Sequence, residues 1–185
     1  MKKPEGRLIM SAGAMRRALK RMASEIADRN DNLETVGLVG IRTRGEPLAG
    51  RLSGLLGELE KVEAPVGVLD ITLYRDDVGL AYPNPVMGPT TIDFPVQGKV
   101  IVLVDDVLFT GRTVRAALDA IMDFGRPAAI QLAVLIDRGL RELPITADYV
   151  GKRIETAPSQ LVEVCLEEID GKDSVLLRDG APEDK

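Results

Sequence analysis

Two adjacent carboxylates, Asp105 and Asp106, stand just ahead of a Thr-Gly-Arg-Thr turn made by Thr110, Gly111, Arg112 and Thr113. Ionised carboxylates only accept hydrogen bonds, so a vicinal diol or a magnesium ion is the partner that suits two of them best. Gly111 lets an anion approach the backbone, and the N–H groups of a first helical turn bind it. In isolation an acidic pair also fits a solvated or capping role. Beside the glycine turn it reads as part of a site for a charged ligand.

The surrounding pattern supplies the elements that hold these groups. Residues 100–104 are an apolar, β-branched run short enough for a strand buried on both faces, and the acidic pair is expected to end it. Val114, Leu118, Ile121 and Met122 then recur at helical spacing. Two more units repeat the strand–loop arrangement. Residues 36–41 run into Arg42-Thr-Arg-Gly45 and a helix with Pro47 near its first turn. Residues 129–136 are stopped by Asp137, Arg138 and Gly139. A third strand is expected over 66–73, and an alternating strand over 161–169 precedes an Asp170-Gly171 hairpin signal and a strand over 174–177. Near the N-terminus, Met15, Ala18, Leu19, Met22 and Ile26 mark a helix with Ser11 as its cap. The rhythm predicts an α/β chain with a mostly parallel central sheet and helices on both faces. Ligands of such sheets bind at the C-terminal edge of the strands, where the loops 42–45, 105–113 and 137–139 meet. A substrate with two separate phosphate groups and a diol between them would use all three.

Composition narrows the chemistry. The 185-residue chain is read as one domain, residues 1–185, with a core of ordinary size. It has no histidine, which removes Ser/His/Asp triads, Cys–His pairs and zinc–histidine sites. A net charge of −5 argues against indiscriminate nucleic-acid binding while allowing one local basic face. The single cysteine, Cys165, excludes an intramolecular disulfide and fits a reducing cytoplasm. No apolar run suits a membrane span, and the N-terminus lacks a signal-peptide core. No Walker A loop or Gly-x-Gly-x-x-Gly fingerprint is present. Residues 78–98 are rich in proline and glycine without a sustained period, so a flexible lid is expected over about 74–98, with C-terminal strands over about 148–178.

The run Val102-Leu-Val-Asp-Asp-Val-Leu-Phe-Thr-Gly-Arg-Thr113 resembles the phosphoribosyl-pyrophosphate (PRPP) signature of type I phosphoribosyltransferases. Gly40-Ile-Arg-Thr-Arg-Gly45, Leu69-Asp-Ile-Thr-Leu-Tyr-Arg-Asp-Asp77, Gly125-Arg-Pro127, Gln131-Leu-Ala-Val134, Asp137-Arg-Gly-Leu-Arg-Glu-Leu-Pro144 and Ala147-Asp-Tyr-Val-Gly-Lys152 are similar to the bifunctional pyrimidine-operon regulator and uracil phosphoribosyltransferase family, PyrR. The resemblance covers nearly the whole chain. It implies the type I phosphoribosyltransferase fold, with a flexible loop and a small hood, and the transfer of ribose 5-phosphate from PRPP to uracil, giving UMP and diphosphate with Mg2+. It places PRPP on Thr43, Arg44 and Gly45 and on the signature Ile101, Val102, Leu103, Val104, Asp105, Asp106, Val107, Leu108, Phe109, Thr110, Gly111, Arg112 and Thr113. Asp105 and Asp106 would hold the ribose hydroxyls and, with the substrate, the metal. Arg44 and Arg75 would act on the pyrophosphate, and Ile136, Asp137 and Arg138 on the uracil edge. The loop 42–45 often contains a cis non-proline peptide in relatives. Phe109 stands where the family usually has tyrosine and purine-salvage relatives have a carboxylate, so no side chain there can act as a base.

The same resemblance implies binding of pyrimidine-operon leader mRNA with UMP as effector, and a homodimer or larger assembly. Candidate RNA contacts are Arg17, Lys20, Arg21, Arg29, Arg141 and Lys152. Ser24 stands where the family typically has histidine, Leu140 interrupts its Arg-Gly-His-Arg run, and Thr146 replaces a usual arginine, so RNA binding that is weakened, altered in sequence preference or absent is expected. Two other readings stay open: an RNA-binding attenuation regulator with little catalysis, and a phosphoribosyltransferase for another base.

Overall fold

The computed structural model describes residues 6–74 and 88–180. Strand β1 (Arg7–Ser11) leads directly into helix α1 (Ala12–Arg29), whose first turn is capped by the Ser11 hydroxyl accepting from the Ala14 N–H. The helix buries Met15, Ala18, Leu19, Met22, Ala23 and Ile26, the stripe its spacing dictates. Then follow β2 (Val36–Ile41), α2 (Gly45–Glu60), β3 (Val66–Leu69), β4 (Val100–Leu108), α3 (Arg112–Met122), β5 (Ala129–Asp137), β6 (Tyr149–Arg153), β7 (Gln160–Cys165), α4 (Glu167–Asp170) and β8 (Ser174–Asp179).

Strands β3-β2-β4-β5-β6, in that order, form a five-stranded sheet with every pair parallel. The chain leaves β2 to lay β3 on one side and returns to lay β4 on the other, so the order reverses between β2 and β4. That reversal opens a crevice at the strand ends. Alternation along β4 divides the core. Val102 and Val104 pack with α1 and α2, and Ile101 and Leu103 pack with α3. A second sheet, β1-β8-β7, is antiparallel and shares the α1–α2 core through Met10, Val162, Val164, Val175 and Leu177. It is the hood that the family resemblance implies, joined to the body by Arg51 on α2, which reaches Glu168 at 2.6 Å and Asp173 at 2.8 Å.

Several boundaries differ from the sequence reading. The acidic pair does not end β4: the ladder continues, Asp105 facing Val134 and Leu108 facing Asp137 in register. Backbone pairing is indifferent to side-chain charge while the neighbouring strand continues. β3 stops at Leu69 rather than residue 73, because the Asp70 carboxylate takes the N–H and hydroxyl of Thr72 and turns the chain into a 3-10 helix over Thr72–Tyr74. β7 ends at Cys165, and residues expected to extend it form the short α4. β6, expected among the C-terminal strands, is an edge of the main sheet. The lid expected over about 74–98 falls largely outside the described residues. Its last part is packed, with Thr91 bridging Val68 and Val96 buried. Among the described residues no helix is long and apolar enough to cross a membrane.

Candidate active site

A cavity of about 480 Å³ lies at the β2/β4 reversal. The β2–α2 loop contributes Arg42, Thr43 and Arg44, the turn after β3 gives Asp70, Ile71 and Thr72, and β4 gives Asp105, Asp106 and Val107. Thr113 enters from the first turn of α3. The structure therefore brings together the Thr-Arg-Gly loop, the acidic pair and the glycine turn. The Arg42–Thr43 peptide is cis, as the family resemblance implies for this loop.

The loop sits against β4 with no space for a side chain. A Cβ on Gly45 would lie 2.2 Å from the Val104 carbonyl oxygen, and one on Gly40 would lie 2.5 Å from the Gly45 carbonyl. Asp105 is 8% exposed and accepts from the Asp106 N–H at 2.9 Å. Burial, with the neighbouring Asp106 charge, pushes its carboxyl well above the ordinary range. Burial also raises Asp106, and the Arg44 charge works against that rise. Asp70 moves the other way: burial opposes its ionisation, but bonds from Thr72 and the Gly88 N–H, with the Arg42 charge nearby, outweigh it.

On the other side of β4, Gly111 takes φ +95° and ψ −5° to start α3, a conformation that costs an L side chain free energy. The Thr110 carbonyl accepts from the Glu142 and Leu143 N–H groups at 3.0 and 3.1 Å, so the segment after β5 braces the turn. Arg112 pairs with Glu142 at 2.7 Å.

The uracil candidates lie at the adjoining strand end. Ile136 pairs with Val107 and Asp137 with Leu108. The Asp137 carboxylate accepts from Arg141 and from the Gly139 N–H. Arg138 is 5% exposed, its guanidinium stacked 4.1 Å from the Phe109 ring centroid and bonded to Thr156 and to the carbonyls of Ala157 and Gln160. Burial lowers its pKa. Arg75 lies outside the described residues.

The cations proposed for RNA divide. Arg17 and Lys20 are exposed on α1. Arg21 donates to the Val150 and Gly151 carbonyls, Arg29 pairs with Asp148, and Lys152 donates to Ile9. These hold α1 and β1 against β6. Arg141 turns inward and donates to the carbonyls of Leu108, Phe109, Gly139 and Ile145. Arg42, Asp70 and Thr72 are cavity residues absent from the candidate set. Asp-x-Thr directly after an apolar strand is a turn signal that could have placed the last two.

A phosphoribosyl transferase domain model matches residues 9–169. A protein of Roseiflexus sp. (strain RS-1) named Bifunctional protein PyrR is 60% identical over 163 residues, 88% of this chain and 89% of that protein. Proteins of the same name from Chloroflexus aurantiacus and Thermus thermophilus are 58% and 57% identical, covering 95% and 94% of this chain and 97% of each relative. The chain belongs to the PyrR group of phosphoribosyl transferases. Its fold is similar to the hypoxanthine phosphoribosyltransferase of Trypanosoma cruzi, with a TM-score of 0.71 at 18% identity over 94% of this chain and 97% of the other. A hypoxanthine-guanine phosphoribosyltransferase from Bacillus anthracis gives 0.69 at 19% identity, covering 93% and 98%. This PyrR-group transferase thus shares the type I fold, a parallel sheet with helices on both faces and a smaller hood.

Proposed function

We propose that this transferase makes UMP and diphosphate from uracil and 5-phosphoribosyl 1-diphosphate, and that the UMP-filled protein binds pyrimidine-operon leader RNA. The observation that carries the reading is the cavity in which the Asp105–Asp106 pair faces the Arg42, Thr43 and Arg44 loop, with Thr113 at its rim. PyrR-group relatives that match nearly end to end favour it over transfer to another base or a regulator without catalysis.

In this reading the N–H groups and hydroxyls of Thr110, Gly111, Arg112 and Thr113 bind the 5′-phosphate, and Asp105 and Asp106 accept from the ribose hydroxyls. Thr43, Arg44 and Gly45 border the pyrophosphate, while Ile136, Asp137 and Arg138 meet the uracil edge. The described residues hold no cluster of three carboxylate, histidine or cysteine ligands, so a resident metal cage is absent among them. Two carboxylates beside a phosphate-bearing substrate instead fit Mg2+, which keeps its waters and shares ligands with phosphates. When bound, Mg2+ neutralises charge on the departing diphosphate. Phe109 offers no proton-accepting atom, so the residues present act by positioning and by electrostatic stabilisation of the leaving group. A cytoplasmic homodimer or larger homo-oligomer completes the proposal; light scattering checks the assembly.

Incubation with PRPP, Mg2+ and a panel of bases tests the enzyme. UMP forms with uracil and is lost on chelation of the metal; absence of product with uracil would refute the reading. A gel shift of leader RNA, sharpened by UMP, tests the regulator. Ser24, whose hydroxyl turns back to the Lys20 carbonyl, and exposed Leu140 and Thr146 predict RNA affinity below that of relatives with cationic groups there.

A further inference from the structure

The turn that carries Asp70, Ile71 and Thr72 to the cavity continues as the 3-10 helix Thr72–Tyr74. It is one hydrogen-bonded piece. The Asp70 carboxylate accepts from the Thr72 and Gly88 N–H groups, and the Tyr74 N–H donates to the Ile71 carbonyl at 2.9 Å. Its outer end is weakly anchored by packing. Leu73 is 69% exposed, and a second cavity of about 170 Å³ lies between this helix and α3, lined in part by Leu73, Thr90, Ala120 and Phe124. Close packing therefore does not set the distance between the two helices. Tyr74 spans the gap. Its ring packs against the α3 side of the core, and its hydroxyl donates to the Asp123 carboxylate.

Asp123 is the C-terminal cap of α3, where the negative end of the helix dipole opposes a carboxylate. Nothing in the helix itself calls for an acid there. Asp119, one turn back, pairs with Arg115 of the same helix, whereas Asp123 accepts from a different element. The bond to Asp123 also holds the Tyr74 phenol above its ordinary pKa, so the hydroxyl stays a donor at neutral pH. Eleven residues make α3 a strut about 16 Å long, with Gly111 and Thr113 at one end and Asp123 at the other. We infer that Tyr74 and Asp123 are positioning residues for the transfer: their bond fixes the Asp70–Thr72 wall relative to the glycine turn at the far end of α3. The assignment rests on the proposed function, in which PRPP fills the cavity that wall and turn both line, and uracil sits at the end of β5.

Steady-state UMP formation by wild type, Tyr74→Phe, Asp123→Ala, Asp123→Asn and the double variant Tyr74→Phe/Asp123→Ala tests it, with deuterium uptake of residues 70–74 measured alongside. Tyr74→Phe keeps the packed ring and removes only the hydroxyl. It and Asp123→Ala are each expected to raise KM for PRPP about fivefold, while kcat and KM for uracil stay within about twofold. Asp123→Asn, whose amide oxygen still accepts, should recover most of the loss. The double variant should be no worse than either single one, because they share one bond. Deuterium uptake at 70–74 should quicken in the same order. Unchanged KM for PRPP in Tyr74→Phe overturns the inference, as do additive losses or an equal rise in KM for uracil, which would make the pair a support of the whole fold. A wild type that makes no UMP overturns the proposed function. Faster uptake at 70–74 in Tyr74→Phe then still upholds the fixing of the wall, and unchanged uptake refutes it.

Discussion

Gly45→Ala isolates the contact that brings the β2–α2 loop to the acidic strand. The added Cβ would sit 2.2 Å from the Val104 carbonyl oxygen and 3.2 Å from the carbonyl carbons of Val104 and Gly40. An ordinary carbon–oxygen contact is about 3.3 Å. The start of α2 must therefore retreat from β4 by about 1 Å, and both sides of the contact are backbone, so no side chain can rotate away. Overpacking of this kind costs about 1–3 kcal/mol. Displacing reacting groups by 1 Å costs about 100-fold in rate. In a chain of this size the stability loss lowers the melting temperature by about 2–4 °C per kcal/mol. The measurements are UMP formation at saturating uracil and thermal unfolding. Gly50→Ala is the control: it lies on the same helix, and a Cβ there meets nothing within 4 Å. The control should keep full activity and gain slight stability from helix propensity. Activity of Gly45→Ala within threefold of wild type would refute the argument that this approach sets the loop's position.

Asp105→Asn should abolish UMP formation yet raise the melting temperature of the ligand-free protein at pH 8. Burial lifts the Asp105 pKa, so the charged form opposes folding above the unfolded value, and that penalty fades as pH falls through the raised folded value; scans at pH 8 and pH 5 read the difference. Arg51→Met should lower the melting temperature at neutral pH, with the deficit shrinking below about pH 4. The Arg51 bond is the main cause holding Glu168 low, and at Asp173 the bonds from Arg51 and the Glu167 N–H outweigh burial, so their stabilisation is present above the unfolded pKa values and is lost as pH falls through the depressed ones. Arg138→Lys should fail to replace arginine: an ammonium cannot lie flat on Phe109 while reaching Thr156, Ala157 and Gln160, and the orphaned carbonyls cost about 1–3 kcal/mol, read as a lower melting temperature.

The strands most legible from the sequence are those buried on both faces. β2 reads as an unbroken apolar run and β5 as one interrupted by Gln131, and their observed bounds agree with the runs to within a residue. β1 escaped because its signal is weak: Arg7–Ser11 has one buried residue, and its partner β8 lies at the far end of the chain. Arg141 shows a second kind of blindness. Its charge and its place in a polar segment suggest a surface cation, but its donors close the carbonyls of a strand end brought near by folding. The loops of the site were legible because glycine, threonine and paired carboxylates at strand ends have few structural uses. The resemblance picks out Arg44 and passes over Arg42, although both line the cavity, because spacing alone does not show that folding brings the hood to Arg44.

The position of the acidic pair within β4 fits the proposed function, in which phosphates lie on both sides of the cavity. Successive strand residues face opposite ways, so Asp105 lies on the face of Ile101 and Leu103, and Asp106 on that of Val102 and Val104. A cavity lined by both must wrap around the end of the sheet rather than sit on one face. Helix α3 packs on the first face and α2 on the second, and each starts at the strand ends with the N–H groups of its first turn. The thickness of the sheet keeps those two turns apart, with the carboxylates between them. Under the proposed function, a ligand with one phosphate fills half of this arrangement, whereas PRPP spans it. That span places the bond to be broken over the strand end, between Asp105 and Asp106 on one side and the loop held by Gly45 on the other.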